Sequence, residues 1–177
     1  PANLIALMPQ AHIGLTATAY PRFYWYMPIN QGQFVDFTLT QFSEGEAIAP
    51  VYSTRFAVTG ESGIVSLQIP DTAHIPPLEV GDRYRWQVEL YCNANGTSGD
   101  LQIDGWVEYQ PPQAELMTAL DTASAAEKAE LYARNGYWFD AVDQLATLRA
   151  EDPEAANLQA GWQALLESVA LEKLVGQ

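Results

Sequence analysis

One cysteine, two histidines and eight basic residues stand among 177 positions. Each scarcity excludes something. The lone Cys92 cannot close a disulfide within this sequence. His12 and His74 lie in apparent loops, and with a single thiol they make a poor zinc-ligand set. A formal charge of −14 repels phosphate backbones and anionic lipid heads. Nucleic acid and bare membrane are therefore not expected partners. No apolar run reaches the ~18–20 residues of a membrane span. Missing too are the P-loop, the Rossmann glycine pattern, the nucleophile elbow and the Asp-x-Asp-x-Asp-Gly calcium loop. No catalytic, cofactor-binding or metal-ligating residue is assigned, and the chain is not expected to be an enzyme.

The acidity is spread evenly. Residues 1–112 hold 4 basic and 11 acidic groups, and residues 113–177 hold the same numbers. That pattern reads as a solubilising surface, not an acidic tail. Hydrophobic residues make up 48%, which is too high for a disordered chain. Pro1 stands where a Met would open an unprocessed chain. A removed signal peptide would account for it, so an extracytoplasmic location (secreted, cell surface or periplasmic) is the expectation.

Composition changes at Pro111-Pro112. Before it the chain is β-branched and aromatic, cut by Gly and Pro; after it the chain is rich in Ala, Leu and Glu. Two domains are expected: an immunoglobulin-like antiparallel β-sandwich over 1–112, and a helical domain of three to four short helices over 113–177.

About seven strands fit the first part. Leu4 to Met8 is the first, and Thr16 to Ala19 continues it after a kink at Gly14. Arg22 to Met27 is strongly aromatic. Phe34 to Phe42 alternates, with Val35, Phe37 and Leu39 on one face. Val51 to Val58 follows the turn at Ser43 to Glu46. Gly60 to Gly63 reads as a hairpin turn leading to Ile64–Ile69. Leu78, Gly81 and Tyr84 suggest a tyrosine corner, with the Tyr84 hydroxyl bonded to backbone near Leu78. Tyr84 to Cys92 and Leu101 to Tyr109 close the set around the loop 93–100. Trp25 and Trp86 are expected in the core. Trp106 is out of phase with Ile103 and Val107, so it faces outward unless a bulge at Gly105 turns it in. Cys92 shares a face with Trp86 and Leu90 and reads as a buried thiol. The alternative is a partner cysteine upstream or on another chain.

In the second part a helix begins near Gln113. Ser124 and Glu127 form a capping-box pattern, and that helix stops at Asn135-Gly136. The next starts near Tyr137. Asp152-Pro153 is expected to cap and open a third, extending through Leu174. Leu131 to Ala141 resembles the turn of a tetratricopeptide helix pair, although one unit is fewer than a solenoid needs.

Acidic pairs such as Glu44/Glu46 and Asp100/Asp104 read as turns and strand edges rather than glycosidase carboxylates. Asn95-Gly96-Thr97 fits both a glycosylation sequon and a hairpin turn.

Several segments taken in order resemble a known family. They are Leu15–Pro21 with Phe23–Tyr26, Gly63–Leu67, Leu78–Gly81 with Tyr84–Trp86, Gly105–Val107, Ala129–Ala133 and Gly136–Ala141. Together they resemble a cyanobacterial family described only as a domain of unknown function, of the nine-two-eight type. The resemblance spans nearly the whole chain. It implies a secreted or envelope protein with no established activity. It also implies a second cysteine just before this region, which is absent here and leaves Cys92's pairing open.

The expected function is a non-enzymatic extracellular or cell-envelope structural module, with filament or sheath assembly through a donated strand, Leu4, Ile5, Ala6, Leu7 and Met8. The alternative is that this strand simply joins its own sheet. A second reading is a binding module for polysaccharide or protein, with Tyr91, Trp106, Tyr109 and Trp138 as surface contacts. Partners are accordingly other copies of the chain, other envelope proteins or a polysaccharide.

Overall fold

The computed structural model describes residues 3–92 and 101–177. The expected hairpin loop and sequon at Asn95 lie outside the described residues. Eight strands precede four helices: β1 (Ile5–Ala6), β2 (Gly14–Thr16), β3 (Arg22–Met27), β4 (Phe34–Ser43), β5 (Glu46–Ala57), β6 (Gly63–Gln68), β7 (Arg83–Tyr91) and β8 (Leu101–Tyr109), then α1 (Ala114–Thr122), α2 (Ala125–Arg134), α3 (Trp138–Glu151) and α4 (Ala156–Glu167). A 3-10 turn over Glu172–Leu174 closes the chain.

The strands form two open sheets. One has three strands in the order β1-β3-β6, the other five in the order β2-β8-β7-β4-β5. Alternation explains how they face each other. In β4, Val35, Phe37 and Leu39 are buried, and in β7 so are Tyr84, Trp86, Val88 and Leu90. Their rings meet the rings of β3. Phe23 lies 5.4 Å from Phe37 and 5.1 Å from Trp86, and Trp25 lies 6.2 Å from Phe37, centroid to centroid. These spacings suit aromatic pairs packed without gaps. The indole N–H groups of Trp25 and Trp86 are buried with no hydrogen-bond partner among the described residues.

Gly105 belongs to this packing. A Cβ there would stand 2.0 Å from Met8 Sδ and 2.7 Å from Trp86 Nε1. Its missing side chain is the space those two groups fill. No bulge occurs at this point: Trp86 pairs with Gly105 and Arg85 with Trp106 in unbroken register. Trp106 therefore stays on the outer face. The bulges fall in β5 instead, where Val51 and Ile48 are each passed over in the pairing with β4. Pro50 lies between them. An edge strand broken in this way is poorly suited to extending the sheet into a neighbour.

Four further expectations are corrected. Gly60 to Gly63 is not a hairpin turn, because β5 and β6 belong to different sheets. The pairing is not wholly antiparallel: β2 runs parallel to β8. Asp152 does not cap the last helix. It ends α3, its N–H donating to Leu148 O, and α4 starts only at Ala156. That helix stops at Glu167, and Ala170 takes a φ of 58° before the terminal 3-10 turn. The tyrosine-corner contact is present: Tyr84 Oη accepts from the Glu79 N–H at 2.9 Å. The capping box on α2 is also present in both directions.

The helices do not stand apart from the sheets. Phe139 of α3 packs edge-on to Phe23 at 5.4 Å and fills the space a Cβ would need at Gly14. Trp138 Nε1 donates to Leu7 O at 2.7 Å. One buried cluster runs from the β3 rings through α3 to Trp162 and Leu166 of α4.

Candidate functional site

Helix α3 is buried from both sides. Its Phe139 and Val142 are part of the cluster shared with the strands, and α2 and α4 pack along it. The two flanking helices leave a groove between them of about 890 Å³. Trp138 and Leu145 line its interior. Ala129 and Ala133 contribute from α2, and Leu158, Gly161 and Leu165 from α4. The small residues keep it wide. At Gly161 even a methyl group would touch Leu145 Cδ2 at 3.4 Å. Glu127, Glu130 and Arg134 add charge, with Arg134 paired to Glu130, and Pro9, His12 and Ile13 line it from the strand side. Its lining is mainly apolar.

The base of α3 carries a polar network that docks it on the strands. Ala17 N–H donates to Asp140 Oδ2 at 2.9 Å, Tyr24 Oη donates to Asp143 Oδ1 at 2.8 Å, and Arg22 Nε lies 3.3 Å from Asp143. Burial pushes the Asp140 carboxyl up to about 6, against the opposing pull of the Ala17 N–H. Burial also raises the Tyr24 phenol, with the bond to Asp143 adding to the shift. These groups are each engaged in holding two layers together.

A second cleft, of about 900 Å³, opens on the outer face of the five-stranded sheet. The rings of Trp106 and Phe42 meet edge-on there with centroids 4.8 Å apart. Glu44, Asp82 and Arg83 line it, and Ile13 lines both clefts. Among the described residues, no group of three or more His, Cys, Asp or Glu side chains could hold a metal ion. Among the described residues, no helix is long and apolar enough to cross a membrane.

The residues singled out from sequence scatter. Leu4 to Met8 are all buried. Ile5 pairs with Tyr26 and Ala6 with Trp25 on the chain's own β3, so this segment is an ordinary first strand here. Tyr91 is 7% exposed, stacked on Phe34 at 4.8 Å, and its hydroxyl donates to Glu89, a bond that with burial raises it to about 12. Trp138 is also 7% exposed. Neither offers a free surface face, because each ring covers apolar neighbours of its own chain. Tyr109 is half-buried against the core. Of the four, Trp138 lines the helical groove and Trp106 the cleft on the sheet. Cys92 follows β7 and is half-buried. The sequence reading missed the groove. Its signal was the small-residue face of α2, Ala126, Ala129 and Ala133, opposite Gly161 and Ala164.

No curated protein matches the chain. The family model of a Domain of Unknown Function (DUF928) matches residues 1–177, and the chain belongs to that family.

Proposed function

We propose that this chain is a non-enzymatic, extracytoplasmic assembly module that holds a helical segment of a partner protein between α2 and α4. The observation that carries the reading is the open groove with Trp138 and Leu145 inside it. An amphipathic helix is the occupant that suits walls made of two helices and lined by alanine and glycine. Strand donation is the weaker route to assembly, since Leu4–Met8 is used internally and β5 is broken by two bulges and a proline. Recruitment of other envelope proteins, outside the cytoplasm, remains the kind of assembly proposed.

The finer architecture follows the same reading. The orders β1-β3-β6 and β8-β7-β4-β5 correspond to the ABE and GFCC′ sheets of immunoglobulin-like sandwiches, with the Tyr84 corner in support. The α2–α3 pair, turning at Gly136-Tyr137, is tetratricopeptide-like, with α2 and α4 in the positions that line a concave face.

The experiment fills the groove. Ala133 and Ala164 are exposed on its two walls, so Ala133→Trp with Ala164→Trp should leave the fold intact. Complexes purified from the source envelope should contain one stoichiometric partner with the natural chain and lack it with the double variant. Equal recovery of that partner by both chains would overturn the reading.

A further inference from the structure

The cleft on the sheet differs in chemistry from the helical groove. Its floor is aromatic and its edges are polar. Trp106 and Phe42 come from β8 and β4, two strands apart, with β7 between them. The register sets what surrounds the rings: Phe42 pairs with Arg83, Arg83 with Glu108, and Arg85 with Trp106. Two of the charged groups that line it, Arg83 and Asp82, have neighbours, and so does Arg85 beside Trp106. Arg83 Nε lies 3.7 Å from Glu108 Oε2, and Arg85 Nε donates to Asp104 Oδ2 at 3.0 Å. Gln41 Nε2 donates to Asp82 Oδ2 at 2.7 Å, which fixes the carboxylate and leaves its other oxygen available as an acceptor. The Trp106 indole N–H has no hydrogen-bond partner among the described residues. Val80 is 63% exposed at the margin.

We infer that this cleft binds a neutral saccharide. A sugar ring has an apolar face of C–H groups and an equatorial rim of hydroxyls. The C–H face suits the electron-rich face of an indole. The hydroxyls suit a fixed carboxylate acceptor, a guanidinium donor and an indole N–H. Groups already held by neighbours lose little freedom on binding, which favours a weakly binding, hydroxyl-rich ligand. The charge selects within saccharides. With a net −14 and with Glu44 and Asp82 lining the cleft, a uronate or sulfated chain is repelled. The site is independent of the helical groove, and either can fail without the other.

Trp106 makes the test direct, because its indole N–H gives a separate proton–nitrogen NMR signal. Titrating the full chain with cellohexaose, mannohexaose and an α-galacturonic acid hexamer compares neutral with acidic sugars. Saturable binding of at least one neutral hexamer is expected, with a dissociation constant of about 0.1–1 mM. The shifts should centre on the Trp106 indole and the Val80–Arg83 amides, and the acidic hexamer should produce none. Trp106→Ala should weaken binding about tenfold or more, and Asp82→Asn should weaken it less. The outer-face position of Trp106 should keep the variant folded, and circular dichroism checks this. The wild-type shift map stands even if the variant does not fold. Absence of saturable binding by both neutral hexamers, preference for the acidic one, or shifts centred elsewhere would overturn the inference.

Discussion

The space between the sheets and the space between α2 and α4 both have apolar walls and end differently. Between the sheets, Phe23, Trp25, Phe37 and Trp86 fill the gap, with Met8 seated over Gly105. Between α2 and α4 the chain supplies Ala and Gly where it could have supplied Leu, and a groove of about 890 Å³ stays open. The difference separates two uses of apolar surface. The first is spent on stability, since close packing of large rings is where a core gains most. On the proposed reading, the second is left for a partner outside the chain.

The contrast is broken most forcefully at Trp86. It is fully buried at the centre of the ring cluster, and Trp86→Ala should cost about 3–5 kcal/mol in urea unfolding. A cost below about 1 kcal/mol would mean that the sheet interior is not packed as described. Gly105→Ala comes next. The added methyl must displace Met8 and the indole of Trp86, and a loss of about 1–3 kcal/mol is expected from thermal or urea unfolding.

A smaller effect sharpens the boundary between the two regions. Asp140 sits where α3 meets the loop after β2, facing the Ala17 N–H, Asp143, Tyr132 and Tyr137. Its folded value of about 6 lies above the ordinary 3.8. The folded state therefore holds this proton more tightly. Its contribution is fully present below the ordinary value and is lost as pH rises through the folded value. Asp140→Asn keeps an acceptor for Ala17 and removes the titration. The difference in melting temperature between the natural chain and this variant should change across roughly pH 4 to 7, with the natural chain gaining as pH falls. A constant difference would show that the carboxyl is solvated.

How much of this was legible in the sequence depends on the period of the signal. Strict alternation in Phe34–Phe42 and Tyr84–Leu90 marked β4 and β7, and Ser124 with Glu127 marked the start of α2. Such signals are local and repeat within a few residues. Sheet membership is not local. Nothing in Gly60-Glu61-Ser62-Gly63 distinguishes a hairpin from a crossing between sheets, and the chain crosses. The role of Gly105 was misread for the same reason, because what it accommodates comes from Met8, nearly a hundred residues earlier. Trp138 and Tyr91 looked available because large rings in amphipathic segments do, yet each is covered by residues distant in sequence. The groove is harder still to see, since it is defined by side chains that are absent.

The claim that the helical groove, rather than the sheet faces, receives the protein partner can be tested by position. A photo-crosslinking amino acid is placed at Ala133 on the groove wall or at Gln87 on the outer sheet face, in the natural host envelope. We expect one discrete protein adduct from position 133 and none from position 87. A discrete adduct from position 87 alone, or the same adduct from both, would contradict it.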